Sequence, residues 1–372
     1  MVKKIRGIGA LILALVWGAL TVLAWFSPSK KSSDSERRLL AQFPTLSAAT
    51  VSSGKFMTDF ESYTTDQFPG RDTFRQLKAV FSRYALLQAD NNDIYLSDGY
   101  LAKQEYPLKP AEVAAATSRL TKVYESFLRD TGSRVWCAVI PDKGYYLAQK
   151  SGHLSMDYSA LFTQVETALP WATHIDLTDS LGLESYYYTD THWRQECLLP
   201  VAATLLSAMD MPQLPEAGFT VTALPDPFYG VYHGQAALPV APETMYLMES
   251  DILAGCQVAI HNGQSFAPVS YTGVYDMEKL ASKEPYDVFL SGPQSLIRIE
   301  NPNAATDREL IIFRDSFGSS IAPLLVSQYK TVTLVDIRYL NSQLLDRYLE
   351  FHGQDVLFLY SSLVLNMGSA LK

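Results

Sequence analysis

The pattern of apolar and polar positions is simplest at the N-terminus, where residues 7–26 form an uncharged, mostly apolar stretch of twenty residues. A helix of that length spans about 30 Å, which matches the hydrocarbon core of a bilayer. Lys3, Lys4 and Arg6 precede the stretch, and basic residues favour the cytoplasmic side. We therefore predict a transmembrane signal anchor over residues 1–26, with the remaining chain extracytoplasmic. Cleavage as a signal peptide stays open, because Val22-Leu23-Ala24 resembles a cleavage site.

The polar residues after this stretch lead into two predicted local structures. Residues 27–45 are rich in Ser and charge at their start, which is typical of a juxtamembrane linker. From Asp72 to Gln88 the apolar residues recur at helical spacing and predict an amphipathic helix. Residues 93–102 contain two short apolar pieces around Ser97-Asp98-Gly99, which predicts a β-hairpin.

From residue 110 onward the pattern alternates between helices and buried strands. Helices are predicted at 110–132, 157–169, 195–210, 317–329 and 341–353, and strands at 134–140, 173–177, 309–316, 331–337 and 355–361. This order predicts an α/β fold with a parallel, doubly wound sheet. Seven prolines between 212 and 267 interrupt the alternation, so residues 211–290 are predicted as an irregular or β-rich insertion in one extracytoplasmic domain, 46–372.

Composition narrows the function classes. Apolar residues make up 48% and charged residues 19% of the 372 residues, which suits a large folded core. The net charge of −9 argues against a general nucleic-acid binder. The three cysteines, at 137, 197 and 256, lack the spacing of zinc ligands or of a disulfide framework. We predict no metal site and no cofactor.

Candidate chemistry lies where predicted strands end, because sites in open α/β sheets form beyond the carboxyl ends of strands. Ser316 follows the strand at 309, and a serine at a strand-to-helix turn can act as a nucleophile if a base is near. His192 can be that base, and Asp190 can orient the imidazole. Each residue has a plainer interpretation: Ser316 as a helix cap, His192 as a structural histidine, or Asp190 and His192 as two ligands of an incomplete metal site.

Neighbouring residues are candidates for supporting roles. The backbone N–H of Ser316, with those of Phe317 and Gly318, begins a helix and could stabilise an oxyanion. Five side chains could line the cleft or bind substrate: Lys143, Tyr145, Trp193, Arg314 and Arg338. Each also has a structural alternative: a turn lysine, packing aromatic rings, or salt bridges to Asp315.

The motif order resembles a known family. The stretches "FESYTTDQFPGRD", "YLSDGYLA", "IPDKGYY", "YYYTDTHW" and "ELIIFRDSFGSSIAPLL" fall in the order of the DHHW family of bacterial cell-envelope proteins. That family is similar to the alginate O-acetyltransferases AlgX and AlgJ, which have an SGNH-hydrolase-like fold. The resemblance covers about residues 35–365 and implies that Asp190, His192 and Ser316 form a triad in circularly permuted order. The chain departs from the family in having Thr191 where the motif has its first His.

The resemblance also implies a function. It implies O-acetyl transfer onto an extracytoplasmic polysaccharide, with a membrane-bound O-acyltransferase as a possible partner that supplies the acetyl group. A carbohydrate acetylesterase uses the same chemistry with water as acceptor. A non-catalytic envelope scaffold that keeps the fold is the third possibility.

Overall fold

The apolar runs predicted as buried strands lie in one large sheet of the computed structural model, which describes residues 2–214 and 218–372. Within these residues the strands are β1 (Ser32–Ser33), β2 (Arg38–Leu39), β3 (Ile94–Ser97), β4 (Tyr100–Lys103), β5 (Val135–Ile140), β6 (Thr173–Ile175), β7 (Thr220–Ala223), β8 (Tyr246–Glu249), β9 (Gln257–His261), β10 (Phe266–Pro268), β11 (Leu296–Glu300), β12 (Glu309–Arg314), β13 (Thr331–Val335) and β14 (Asp355–Ser361).

The α-helices alternate with these strands in the second half of the chain. They are α1 (Val2–Phe26), α2 (Ala48–Ser52), α3 (Lys55–Asp66), α4 (Arg71–Tyr84), α5 (Pro110–Val123), α6 (Lys143–Leu147), α7 (Tyr158–Ala168), α8 (Leu199–Ala208), α9 (Val231–Ala236), α10 (Asp251–Gly255), α11 (Gly318–Val326) and α12 (Ser362–Leu365). Two units result: Met1–Asn91 with His233–Pro239, and Asn92–Tyr232 with Val240–Lys372.

The main sheet belongs to the second unit and has eight strands in the order β10-β9-β11-β13-β12-β14-β5-β6. The five strands from β13 to β6 are parallel to their neighbours, as predicted. The prediction is wrong for the other edge, because β10, β9 and β11 pair antiparallel and make the sheet mixed. A short turn joins β9 to β10, which only an antiparallel pair permits. Both strands lie inside the range predicted as an insertion, of which residues 215–217 fall outside the described part.

Helices cover both faces of the parallel strands. In β12, Leu310 and Ile312 belong to the core under α8 and α11, whereas Ile311 and Phe313 belong to the core under α5 and α7. This alternation is the period of two expected for a strand. All four side chains are almost fully buried, and each buried side chain of this size contributes about 1.5–3 kcal/mol to folding. The continuous apolar runs therefore reflect burial on both sides of the sheet.

Two predicted helices are shorter than their patterns suggested. The helix predicted at 195–210 begins as α8 only at Leu199, since Pro200 favours the first turn of a helix, and a 3₁₀ turn precedes it. The helix predicted at 341–353 is wrong as an α-helix: the chain forms a 3₁₀ helix at Ser342–Arg347. Leu345 and Leu349 are nevertheless both buried, so the apolar spacing reports burial correctly.

The first unit contains the apolar N-terminal helix. Its segment Gly7–Phe26 has a mean hydropathy of 2.3, and within the described residues it is the one helix long and apolar enough to cross a membrane. Residues 27–45, predicted as a linker, include the β1–β2 pair. Arg38 and Arg71 bind the carboxylates of Glu36 and Asp66 in this unit, so the "DQFPGRD" stretch serves an architectural role.

The helix predicted from Asp72 is present as α4, but its apolar face points away from the protein. Ala79 and Ser82 are its buried residues, whereas Phe74, Leu77 and Phe81 are exposed. The periodicity identified the helix correctly. Small residues make its packed face, and the large apolar residues lie on the exposed one.

Candidate active site

The sequence "YYYTDTHW" folds into a tight turn beyond β6. Tyr186 and Trp193 form an isolated antiparallel bridge, and the N–H of Tyr187 donates to the carbonyl of His192 at 3.1 Å. The six residues from 187 to 192 therefore close on themselves, and Asp190 and His192 project from the same turn. The turn therefore fixes the positions of Asp190 and His192 relative to each other.

Asp190, His192 and Ser316 form a hydrogen-bonded line across 126 positions of the sequence. The His192 Nδ1 lies 2.6 Å from Asp190 Oδ1, and His192 Nε2 lies 2.8 Å from Ser316 Oγ. In the tautomer with a proton on Nδ1, Asp190 accepts from His192, and Nε2 is free to accept from Ser316. The structure brings together the three residues that the sequence singled out.

The environment of Asp190 favours an ionised carboxylate. Burial would raise its pKa, but the electrostatic interaction with His192 and hydrogen bonds from His192 overcome this and lower the pKa below its usual range. The N–H groups of His192 and Val231 also donate to its oxygens, at 3.0 and 2.8 Å. Asp190 is 1% exposed, so these donors replace the water that a free carboxylate would bind.

Ser316 lies on the turn between β12 and α11, and the carboxylate of Asp315 shapes that turn. Asp315 Oδ1 accepts from the N–H of Phe317 at 3.0 Å, and Oδ2 accepts from the N–H of Ser361 at 2.8 Å. The N–H of Gly318 donates to the Asp315 carbonyl at 3.1 Å. Both N–H groups that were predicted as oxyanion donors, those of Phe317 and Gly318, are therefore engaged within the turn, and their oxyanion role stays a prediction. Within the described residues, no acceptor takes the Ser316 N–H.

Trp193 connects the two halves of the site. Its indole N–H lies 3.1 Å from the Phe317 carbonyl and 2.8 Å from Ser320 Oγ, and its ring packs edge-on against Phe317. Trp193 is fully buried, so it cannot line the cleft or bind substrate. The packing alternative describes it: Trp193 fixes the distance between the His192 turn and the Ser316 turn.

The two arginines near Ser316 are structural rather than cleft residues. Arg314 is fully buried, lies 3.8 Å from Asp336, and donates to the carbonyls of Asp315, Gly292 and Gln294. Arg338 binds Asp336 through two hydrogen bonds, at 2.9 and 2.6 Å. For both arginines, salt bridges are the predicted alternative to a cleft role. The structure shows such pairing, but the acidic partner is Asp336 and not Asp315.

Gly318 is required by the buried arginine. A Cβ at this position would lie 2.6 Å from the Cβ of Arg314, closer than real contacts allow. The glycine is therefore needed for packing inside the turn.

Lys143 and Tyr145 follow β5 but do not line a cleft together. Lys143 is 2% exposed, and its ammonium donates to the carbonyls of Leu101, Tyr187 and Tyr188. Burial lowers its pKa to about 7, against the attraction of Asp190 and other carboxylates. The cleft role predicted for Lys143 is wrong, because the side chain joins the β3–β4 hairpin to the site turn. Tyr145 is partly exposed and packs edge-on against Tyr146 and Tyr158.

Three residues that touch the site were missed, and all come from the range predicted as an insertion. The ring of Tyr286 stacks on His192 with centroids 3.9 Å apart and an interplanar angle of 7°. The N–H of Val231 binds Asp190, and Glu243 accepts from the N–H groups of Tyr188 and Thr189, both at 2.7 Å. Prolines made this range look irregular, so periodicity carried no signal for these contacts.

Thr191 and Gly230 show how closely this range packs against the turn. The hydroxyl of Tyr232 lies 3.0 Å from Thr191 Oγ1, so Thr191 has a partner other than Ser316. A Cβ at Gly230 would lie 2.3 Å from both the Cα and the Cβ of Asp190. The glycine in "FYGVY" is the sequence signal that could have suggested such close approach.

The interpretation of Asp190 and His192 as metal ligands requires at least one further ligand nearby. Within residues 2–214 and 218–372, no group of three or more His, Cys, Asp or Glu side chains could hold an ion. The arrangement suits nucleophilic acyl transfer, with a hydroxyl, a base and an orienting carboxylate in line.

Comparison with known proteins agrees with the motif order. The family model described as DHHW protein matches residues 176–335, which include Asp190, His192 and Ser316. The DHHW resemblance is confirmed. No curated protein matches the chain by sequence.

Two solved structures share the fold of about three quarters of this chain. A DHHW family protein from Eubacterium siraeum has a TM-score of 0.61 at 18% identity, covering 76% of this chain and 94% of its own. Bacillus cereus PatB1, solved with a sulfonyl adduct, has a TM-score of 0.61 at 17% identity, covering 75% and 98%. The O-acetyltransferase domain of Pseudomonas putida AlgJ gives only 0.43 at 14% identity, covering 74% and 92%. At these identities the first two show the fold alone.

We expect Gly230→Ala to disable the site without unfolding the protein. The new methyl group must push Asp190 away from His192, and misplacement by about 1 Å can cost about 10²-fold in rate. The measurement is hydrolysis of p-nitrophenyl acetate, with circular dichroism as the check on folding. Gly255→Ala is the matched control, since its nearest contact is 3.4 Å away. Equal activity of both variants would contradict the close packing.

We expect Lys143→Met to destabilise the protein by about 2 kcal/mol, because three buried carbonyls lose their donor. The wild-type protein should also gain stability as pH rises from about 7 to about 10, because the unfolded chain keeps the lysine proton up to about 10.4 whereas the folded protein releases it near 7. Denaturant titrations across this window measure both effects. The variant should lose this part of the pH slope; an unchanged slope would contradict a lowered pKa.

Proposed function

We propose that the protein is a membrane-anchored, extracytoplasmic O-acetyltransferase that modifies a polysaccharide through Ser316, His192 and Asp190. The observation that carries the proposal is the line from Ser316 Oγ through His192 to Asp190, with contacts of 2.8 and 2.6 Å. The DHHW resemblance supports acyl transfer to sugars over other serine chemistry. The apolar helix Gly7–Phe26 supports attachment to a membrane.

In the first half-reaction, Ser316 Oγ attacks the carbonyl carbon of an acetyl donor. His192 Nε2 takes the hydroxyl proton, and Asp190 stabilises the imidazolium that forms. The Ser316 N–H, which has no acceptor within the described residues, can donate to the developing oxyanion. When the tetrahedral intermediate collapses, the donor leaves with the proton from His192 and an acetyl-serine remains.

In the second half-reaction, an acceptor hydroxyl gives its proton to His192 and attacks the acetyl-serine. The bond to Ser316 Oγ breaks, His192 returns the proton to that oxygen, and the acetyl ester is now on the acceptor. A sugar hydroxyl gives transfer and water gives hydrolysis, so a carbohydrate acetylesterase is the alternative with the same residues. An acetyl group made in the cytoplasm must cross the membrane, which is why a membrane-bound O-acyltransferase is the proposed partner.

A non-catalytic scaffold is the remaining candidate, but it does not account for the arrangement of Asp190, His192 and Ser316. A scaffold would not need an ionised, buried Asp190 aimed at an imidazole that is within hydrogen-bond reach of a serine. Burying a charge costs free energy unless the charge is paired or hydrogen-bonded. The Asp190 carboxylate accepts hydrogen bonds from the His192 ring and from the N–H groups of His192 and Val231. The arrangement therefore favours an enzyme.

We expect Ser316→Ala and His192→Ala each to lower acetate release from p-nitrophenyl acetate by about 10³-fold or more, because the nucleophile or its base is removed. Ser319→Ala is the matched control: Ser319 lies three residues further along in α11, is buried, and its hydroxyl has no hydrogen-bond partner in the described chain. The control should keep its activity. Retained turnover in both triad variants, with folding intact, would exclude the triad.

We expect phenylmethylsulfonyl fluoride to modify Ser316 covalently, since an activated serine hydroxyl displaces fluoride from the sulfonyl group. Mass spectrometry of the intact protein and of its peptides should place one adduct on the peptide containing residue 316. His192→Ala should slow the labelling strongly. Labelling at the same rate in that variant would indicate a merely accessible serine and favour the scaffold.

A further inference from the structure

Helix α4 presents its largest apolar side chains to the outside. Phe74, Leu77, Phe81 and Tyr84 are 47%, 63%, 57% and 63% exposed, and their spacing of three and four residues places them on one face. The opposite face packs through Ala79 and Ser82. A single exposed apolar residue is ordinary, but a continuous apolar stripe is typical of a surface that contacts something else.

The chain ties this part of the first unit to the end of the apolar helix. The N–H of Lys30 donates to Gln67 Oε1 at 2.8 Å, and Gln67 Nε2 donates back to the Lys30 carbonyl at 2.9 Å. Ser29 Oγ also lies 3.2 Å from the hydroxyl of Tyr63. Since α1 ends at Phe26, three residues lie between it and Lys30, and the four peptide steps reach at most about 14 Å.

This tether keeps the C-terminal end of α3 close to the membrane boundary if α1 crosses the bilayer. Gln67 is the residue that follows α3, and α4 starts only four positions later, at Arg71. The polar layer of a bilayer is about 5–8 Å thick on each side of the hydrocarbon core. The start of α4 is therefore held within a short distance of that layer.

The charge of this region fits an anionic surface. Residues 27–91 contain nine basic and seven acidic residues, whereas the whole chain has a net charge of −9. Lys78 and Arg83 belong to α4 itself. A helix with an apolar stripe and basic residues beside it is typical of helices that lie in the interface of membranes with anionic lipids.

We propose that the apolar face of α4, formed by Phe74, Leu77, Phe81 and Tyr84, lies in the boundary between lipid headgroups and acyl chains. The helix would lie along the surface of the same bilayer that α1 crosses, so the proposal depends on the membrane attachment proposed above. The ligand is the lipid surface itself, and no partner protein is needed to cover the stripe.

The test uses the full chain reconstituted in vesicles of phosphatidylcholine and phosphatidylglycerol. Cys197, the half-buried thiol, is first changed to Ser, because Cys137 and Cys256 are buried. An environment-sensitive fluorophore is then attached to Leu77→Cys and, as the matched control, to Gln76→Cys. Gln76 is exposed on the same helix but about 100° away from Leu77.

The expected result is a blue-shifted emission at position 77, quenched by nitroxide groups on the lipid chains, with neither effect at position 76. Vesicle flotation is measured in the same samples. If the vesicles float but the probe at position 77 is not quenched by the lipid nitroxides, the proposal is overturned. A blue-shifted probe that is not quenched overturns it too, because that combination indicates that protein and not lipid covers the stripe. Loss of flotation would instead show that the membrane attachment fails, and the proposal with it.

Discussion

The hydrogen bonds of the Trp193 indole are the interaction on which the candidate site depends. One N–H reaches both the Phe317 carbonyl and Ser320 Oγ, and so joins the turn that carries His192 to the helix that follows Ser316. Residues far apart in sequence meet with hydrogen-bond accuracy only if their supports are rigid. A fully buried indole, with no freedom to change rotamer, provides that rigidity.

Around this link, buried or half-buried charged side chains hold the turns in place. Asp315 shapes the nucleophile turn, Glu243 holds the N–H groups before Asp190, and Lys143 ties the same segment to Leu101. Each charge is surrounded by backbone partners, which is the condition for burying it without a large penalty. These residues act on the geometry of the site and not on the reacting atoms. They explain why so many polar residues near the site are inaccessible to a substrate.

The sequence predicted the parts of the structure that depend on local pattern. The strand β12, the hairpin at 93–102 and the position of Ser316 at a strand end follow from local runs and spacing of residue types, and the family motif order added the triad. Asp190 lies instead in a turn that comes fifteen residues after β6 ends. The antiparallel edge, the Tyr286 stack and the burial of Lys143 depend on long-range pairing that no local window contains. The sequence shows Gly230 and Gly318 but not why glycine is needed at these positions. The neighbours that require it are Asp190, which is distant in sequence, and Arg314, whose burial the sequence does not reveal.

The bond between Asp315 and the N–H of Ser361 has a consequence for the order in which the site can form. Ser361 ends β14, the strand that lies between β12 and β5 in the sheet. A nascent chain that has left the ribosome only up to Ser316 has all three residues of the triad but lacks the strand that fixes the nucleophile turn. Assembly of the reactive geometry therefore requires the chain at least as far as Ser361, well beyond the nucleophile itself.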